Sequence, residues 1–156
     1  MTGIKLNLGC GGNILEGWEN HDTDVNLEIL PLPYTDNSAE IILLEHVWEH
    51  FDISHGIRLL EDVRRILMPG GCLRLCVPVV GVHLKREHAR DLLVGHGHKV
   101  GLDNNIVVTA LWAAGFELSN IKITPRREID GHFRAIGKKA DDIETLRIEA
   151  HKTIPA

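Results

Sequence analysis

The sequence lacks several features that mark specialised classes of protein. Its longest apolar runs, such as residues 41–44, are far shorter than the roughly 20 residues that a membrane-crossing helix needs. The N-terminus has neither the basic flank nor the apolar segment of a signal peptide. The three cysteines, Cys10, Cys72 and Cys76, are an odd number, which argues against a disulfide framework. These absences predict a soluble, cytoplasmic protein without a membrane partner.

Lysine and arginine are scarce in the first third of the chain. Residues 1–50 hold one basic side chain, Lys5, and nine acidic ones, whereas residues 51–156 hold sixteen basic and thirteen acidic side chains. The net charge of -5 therefore comes from the first third. Such a balance offers no phosphate-neutralising surface, and the three tryptophans form no row for base stacking. Nucleic acid is therefore not an expected partner.

The length and the apolar pattern predict one α/β domain spanning residues 1–156. Residues 4–8 alternate as a strand and run into a glycine turn, while the apolar run at 41–44 is typical of a central strand buried on both faces. The expected strands are 4–8, 18–22, at most a short one within 26–33, 41–44, 72–77, 116–123 and 132–137. Two helices are expected within the domain: one carries Ile57, Leu60, Val63 and Leu67, and the other runs from a cap at Asp103 or Asn104 to Gly115. A third helix is expected over residues 141–151. The alternative for this last segment is a docked or dimer-forming tail.

The alternation of these elements predicts a Rossmann-like, doubly wound and mostly parallel sheet that ends in an antiparallel hairpin. Only about nine residues separate the glycine turn from the second strand, so the first helix should be reduced to a stub. In such folds the ligand crevice lies at the carboxyl ends of the strands. Function is therefore expected at the glycine turn, at the ends of the second and fourth strands, and in the loop after the fifth.

Four segments occur in an order that resembles a known family. They are Leu-Asn-Leu-Gly-Cys-Gly at 6–11, Leu-Pro-Tyr-Thr-Asp-Asn-Ser at 32–38, Glu-His-Val-Trp-Glu-His at 45–50 and Arg-Ile-Leu-Met-Pro-Gly-Gly at 65–71. Together they resemble the class I S-adenosylmethionine-dependent methyltransferases, in particular the small members with a His-Val-Leu-Glu-His segment. The likeness spans about residues 4–138. It implies an enzyme that uses S-adenosylmethionine and a sheet of about seven strands.

Glycines at 9 and 11 allow main-chain N–H groups to face an anionic group such as a carboxylate, although an ordinary tight turn is the plain alternative. Ile14 stands where a dinucleotide fingerprint needs its third glycine, so NAD is not expected. Asn7 replaces an acid that is frequent in the family. The resemblance implies these cofactor contacts: the methionine half at Gly9, Cys10, Gly11 and Glu45, the ribose at Asp22 with Asp24 as the fallback, and the adenine at Glu28 and the backbone of Ile29.

Two histidines, His46 and His50, are the candidate catalytic residues. Imidazole titrates near neutral pH and can accept a proton from the methyl acceptor. A helix-capping or core histidine under Trp48 is the alternative interpretation. A second alternative is a metal site on one helical face formed by His46, Glu49 and His50, with downstream partners among His83, His88, His96 and His98. Most relatives of this type are understood without a metal, so none is expected.

The leading hypothesis is methyl transfer from S-adenosylmethionine to an oxygen or nitrogen of a polar small-molecule acceptor. Residues 78–101 should contact this acceptor, with Arg126 and Arg127 as neighbours. One alternative is a non-catalytic cofactor-binding or scaffold subunit, and another is a metal-assisted methyltransferase. Because the first helix is reduced, a homodimer mate or another partner subunit could serve as the lid of the crevice.

Overall fold

The structure is a computed structural model that describes residues 3–78, 99, 102–123 and 145–156. In these residues six strands form one sheet of order β2-β1-β3-β4-β6-β5. The strands are β1 (Ile4–Leu8), β2 (Glu19–His21), β3 (Ala39–Glu45), β4 (Leu67–Pro78), β5 (Ile121–Ile123) and β6 (Thr145–His151). The helices are α1 (Ile53–Ile66) and α2 (Asn104–Ala113), with short 3₁₀ turns at Trp48–His50 and Leu118–Asn120. No helix in these described parts of the chain is long and apolar enough to cross a bilayer.

The first four strands are parallel, and β6 runs antiparallel to both β4 and β5. Strand β3 lies between β1 and β4, and its residues Ile42, Leu43 and Leu44 have no exposed surface. A strand buried on both faces must be apolar at successive positions, which explains its continuous run of branched side chains. The predicted central strand and the Rossmann-like, mostly parallel architecture are therefore confirmed.

Both helices begin where a side chain can satisfy the free N–H groups of the first turn. Asp103 accepts a hydrogen bond from the backbone N–H of Ile106 at 2.8 Å, as the predicted cap of α2 requires. Asp52 does the same for α1 at the N–H of His55. The chain leaves α2 through Gly115, whose φ of 92° is in the left-handed region.

The predicted C-terminal helix is wrong, because residues 145–151 form strand β6. Leu146, Ile148 and Ala150 of this strand are buried, while Arg147 and Glu149 between them are half-exposed. This alternation is the pattern of a strand rather than of a helix. Strand β6 also occupies the place beside β5 that was predicted for residues 132–137, which lie outside the described residues.

Three further boundaries differ from the prediction. Leu67 is the first residue of β4 and not part of the preceding helix. Only residues 121–123 of the segment 116–123 are a strand, since Leu118–Asn120 is a 3₁₀ turn. Within the described residues there is no strand at 26–33, which leaves six strands where about seven were expected.

The predicted stub of a first helix is shorter still, because residues 9–18 form turns without any helix. Leu15 and Trp18 of this connection pack against Leu43 and Cys76 on one face of the sheet. Helices α1 and α2 pack in the main core on the other face. The connection and the two helices therefore cover opposite faces of the sheet.

Candidate functional site

The turn after β1 has a backbone that requires glycine. Gly9 and Gly11 have φ values of 69° and 49°, a region that side chains with a Cβ rarely adopt. A Cβ atom at Gly9 would also lie only 2.5 Å from Cγ2 of Val47. The N–H of Cys10 donates to the carbonyl oxygen of His21 at 3.0 Å, and that of Gly11 donates to Oδ1 of Asp22 at 3.2 Å. The turn is therefore fastened to the end of β2.

Asparagine side chains hold the connection that replaces the first helix. Nδ2 of the buried Asn7 donates to the carbonyl oxygen of Asn13 at 2.7 Å and to Oδ1 of Asn20 at 2.9 Å. Asn20 in turn accepts from the N–H of Leu15 and donates to the carbonyl oxygens of Leu15 and Trp18. Asn7 thus holds the loop at the place where the resembled family often has an acid. The roles of Asn13 and Asn20 were not predicted, because asparagines in a loop carry no sign of which distant group they bind.

The two candidate ribose-binding acids after β2, Asp22 and Asp24, differ in the hydrogen bonds that they accept. Asp24 accepts from Nδ1 of His21 at 2.6 Å and from the N–H of Asp22 at 2.9 Å. The contact with His21 is the main reason that the pKa of Asp24 lies below its usual value. Asp22 is exposed and accepts from Gly11 across the turn. Its carboxylate is thus the one placed between the glycine turn and the cleft.

A cleft of about 460 Å³ opens beside Asp22, and it brings together three of the predicted site residues. Asp22 and Glu28 lie on its rim with His50, and Phe51 contributes an apolar surface. The remaining lining residues are Thr23, Val25, Asn26 and Leu27. The Nζ atom of Lys99 lies 4.0 Å from Oε1 of Glu28. Carboxylates beside apolar surface are suited to the hydroxyls and the ring of a nucleoside.

Ile29 is not among the residues that line this cleft. Its side chain is 65% exposed, and its N–H donates to the carbonyl oxygen of Asn26 at 3.1 Å. Only its backbone was predicted to approach the adenine ring, and that contact stays a prediction.

A second group of side chains lies at the carboxyl end of β3. Glu45, the last residue of the strand, is buried and accepts from Nδ2 of Asn13 at 3.0 Å. His46 follows with a φ of 54°, and its N–H donates to the carbonyl oxygen of Cys76 at 2.9 Å. Its ring nitrogen Nδ1 lies 3.3 Å from Oε1 of Glu49, and Nε2 lies 3.8 Å from Sγ of Cys76. His46 is therefore fixed at the edge where parallel strands present their ligand site.

The proposed metal face does not form as a helical face. Only Trp48–His50 is helical, as a single 3₁₀ turn, and His46 precedes it with a left-handed backbone. Among the described residues no three His, Cys, Asp or Glu side chains are grouped so that they could hold a metal. The downstream histidines His83, His88, His96 and His98 lie outside the described residues. Most of the segment 78–101 that was predicted to contact the acceptor, and both Arg126 and Arg127, lie there as well.

Comparison with known proteins agrees with this architecture. Residues 13–75 match the model of a family described as a methyltransferase domain. A Methanosarcina mazei S-adenosylmethionine-dependent methyltransferase is 14% identical and superposes with a TM-score of 0.65, covering 99% of this chain and 94% of its own. A Haloferax volcanii methyltransferase, solved in complex with the Trm112 methyltransferase activator, is 12% identical with a TM-score of 0.64, covering 97% of this chain and 83% of its own. No curated protein matches the sequence.

The CurJ carbon methyltransferase is 17% identical with a TM-score of 0.63, and the match covers 97% of this chain and 49% of that enzyme. The chain thus spans about half the length of CurJ, and about half that of a Nostoc punctiforme neighbour as well. The sheet, the glycine turn and the carboxylates at the strand ends define the class I methyltransferase fold. The solved neighbours show this fold for the chain, and the methyltransferase domain model matches its residues 13–75.

Proposed function

We propose that the protein transfers the methyl group of S-adenosylmethionine to an oxygen or nitrogen of a polar small-molecule acceptor. The observation that carries this proposal is the placement of three features at one edge of the sheet. They are the glycine turn at Gly9–Gly11, the cleft rimmed by Asp22 and Glu28, and the fixed imidazole of His46. An anion-binding turn, a nucleoside-sized cleft and a base are the parts that such a reaction requires.

The turn fits a group with a carboxylate, because the left-handed glycines at 9 and 11 let main-chain N–H groups of the turn face an anion. The backbone of residues 9–11 would hold that carboxylate, and Glu45 would face the ammonium group of the same amino acid. Asp22 would accept hydrogen bonds from the ribose hydroxyls, and Glu28 with the backbone of Ile29 would contact the adenine. When bound, S-adenosylmethionine supplies a methyl carbon activated by a sulfonium leaving group.

The protein's own task is to align the acceptor and to take its proton. His46 is better placed than His50 for this role, because it follows β3 and lies beside Cys76 at the end of β4. His50 lines the cleft with Asp22 and Glu28, on the proposed nucleoside side of the site. We therefore assign proton acceptance to His46, and a contact with the nucleoside to His50. An acceptor amine that is already neutral would need no base.

Calorimetry and a methyl-transfer assay test the proposal separately. S-adenosylmethionine and its demethylated product should both bind, and labelled methyl groups should appear in the small-molecule fraction of a metabolite extract. Where the acceptor is a hydroxyl, His46→Gln should abolish most of the transfer and leave binding of the demethylated product in place. Absence of binding heat with either ligand at millimolar concentration would overturn the proposal.

A second candidate function is a cofactor-binding subunit without catalysis of its own. The helix-free connection of residues 9–18 supports it, because this segment gives the crevice little cover. The Haloferax methyltransferase of the same fold is found with an activator protein, which also supports a partner as a lid. Cofactor binding without turnover by the isolated chain, with turnover restored by a copurifying partner, would favour this candidate. Turnover that chelator abolishes and added metal restores would instead favour the metal-assisted variant.

A further inference from the structure

The imidazole of His46 is held from both sides by groups that the proposed reaction does not otherwise use. Nδ1 lies 3.3 Å from a carboxylate oxygen of Glu49, and Nε2 lies 3.8 Å from the sulfur of Cys76. Glu49 is 1% exposed and Cys76 is fully buried, whereas the His46 side chain is 27% exposed. Two buried groups therefore flank a ring that is itself partly exposed.

We infer that Glu49 is a positioning residue for His46, which keeps the ring proton on Nδ1 and leaves Nε2 as the basic atom. This inference rests on the proposed function. A carboxylate oxygen attracts a proton and repels a lone pair, so the nitrogen beside Glu49 is the one that carries hydrogen. Active sites often contain a base whose side chain is oriented by a further residue. Here His46 would be the base and Glu49 the residue that orients it.

The contact at the other ring nitrogen favours the same proton placement. A thiol is a weak donor and a poor acceptor, so Sγ of Cys76 faces Nε2 best when Nε2 carries no proton. At 3.8 Å this contact is weak enough to give way to the heteroatom of an acceptor. Glu49 and Cys76 thus favour the same tautomer, with the proton on Nδ1. The weak contact of Cys76 leaves Nε2 accessible to the acceptor.

The backbone of His46 has an uncommon, left-handed conformation. Its φ of 54° is uncommon for a residue with a side chain, and the N–H bond to Cys76 O keeps this conformation in place. Strained residues that the surrounding structure retains are concentrated at functional sites. The ring lies between Cys76 of β4 and Glu49 of the 3₁₀ turn.

In this role His46 takes one proton from the acceptor at Nε2. As the acceptor reacts, its O–H or N–H bond breaks, the electron pair stays on the heteroatom, and the proton forms a new N–H bond at Nε2. The ring then carries a positive charge, which the carboxylate of Glu49 stabilises at ion-pair distance. Because Glu49 is removed from solvent, this stabilisation is screened less than at the surface.

The test is the tautomer of His46, measured by nitrogen-15 NMR of the protein labelled in its histidine rings. His46→Gln identifies which of the signals belongs to this residue. The ligand-free wild-type protein should show the proton on Nδ1, and Glu49→Gln should give a mixture of both tautomers. Cys76→Ala, which removes the contact at the other nitrogen, should leave Nδ1 protonated. A wild-type ring with its proton on Nε2 would overturn the inference, as would an unchanged tautomer in Glu49→Gln.

Kinetics add a second readout. In Glu49→Gln the kcat should fall at least about tenfold, with KM for the acceptor and calorimetric affinity for the demethylated product both near wild type. If no methyl transfer is found but the tautomer results are as expected, the proposed function fails while the positioning role stands. If transfer is found and the tautomer does not respond, only the positioning role fails. Even where Glu49→Gln does not fold, a wild-type ring with its proton on Nε2 would overturn the inference.

Discussion

The backbone N–H of Gly11 donates a hydrogen bond to Oδ1 of Asp22 at 3.2 Å. The two halves of the proposed cofactor site are thus joined across the end of the sheet. A bound amino-acid carboxylate would compete with Asp22 for this N–H. We infer that Asp22 exchanges the amide for the ribose hydroxyls of the same ligand, so that no donor or acceptor is left unmatched.

Asp22→Asn should weaken binding of S-adenosylhomocysteine by about tenfold or more, measured by isothermal titration calorimetry. The reason is that hydrogen bonds to an ionised carboxylate are roughly twice as strong as those to a neutral amide. Asp24→Asn is the matched control, because Asp24 is engaged with His21 and with the N–H of Asp22. Its main effect should be on the stability of the turn. A larger loss of affinity in Asp24→Asn would make Asp24 the ribose acid instead.

Gly9→Ala should both destabilise the protein and abolish cofactor binding. The substitution places a Cβ 2.5 Å from Cγ2 of Val47, at a left-handed backbone that alone costs about 1–2 kcal/mol. Urea unfolding and calorimetry measure the two effects. Gly12→Ala is the control, since a Cβ there would meet nothing within 4 Å. Equal behaviour of the two variants would show that the shape of the turn is not required.

Elements with strong local signals could be predicted from the sequence, and elements defined by distant partners could not. The cap at Asp103 and the stop at Gly115 are set by neighbouring residues, and both were predicted. In β6, Leu146 and Ala150 are four residues apart, a spacing that fits one face of a helix and equally one face of a strand. Pairing with β4 and β5 makes this segment a strand rather than a helix, and that pairing depends on residues more than 20 positions away.

In the candidate site, too, some features could be predicted from the sequence and others depend on residues that are distant in the chain. The family resemblance could indicate that Asp22, Glu28 and His50 are candidate site residues, and all three line one cleft in the structure. The sequence could not indicate that His46 contacts Cys76, because the two residues are 30 positions apart and meet only through the parallel pairing of β3 and β4. Cys76 is fully buried in the structure.

Arg65 connects two of the segments that carried the family resemblance. Its Nε donates to Oδ1 of Asp62 at 2.6 Å, and its Nη1 donates to Oδ1 of Asp36 at 2.6 Å and to the carbonyl oxygen of Tyr34 at 2.8 Å. Asp62 is itself buried and also accepts from the N–H of Leu32. The side chain thus fastens residues 32–36 to the last turn of α1.

Arg65→Met should lower the free energy of unfolding by about 3 kcal/mol, because it leaves the buried carboxylate of Asp62 without its cation. Arg65→Lys should lose part of this stability, since lysine keeps the charge but not the planar fork of donors. Urea unfolding measures both values. In Arg65→Met combined with Asp62→Asn the loss should be smaller than the sum of the single losses. Additive losses would mean that the two side chains do not act as a pair.

The N-cap of α1 should make stability depend on pH in the acid range. The N–H of His55, which donates to Asp52, is the main reason that the pKa of Asp52 lies below its ordinary value of 3.8. Because the folded pKa is lower than the unfolded one, the carboxylate stabilises the fold above about pH 3.8. This contribution is lost as the pH falls through the folded pKa.

Asp52→Asn separates the titration from the cap, because asparagine caps a helix about as well as aspartate but carries no titrating group. Near neutral pH the wild type should be at least as stable as Asp52→Asn, since an anion also interacts favourably with the N-terminal end of the helix dipole. As the pH falls below 3.8, the wild type should lose stability relative to the variant. Urea unfolding at the two pH values measures this change. A difference between the two proteins that stays constant with pH would show that the carboxylate does not titrate with folding.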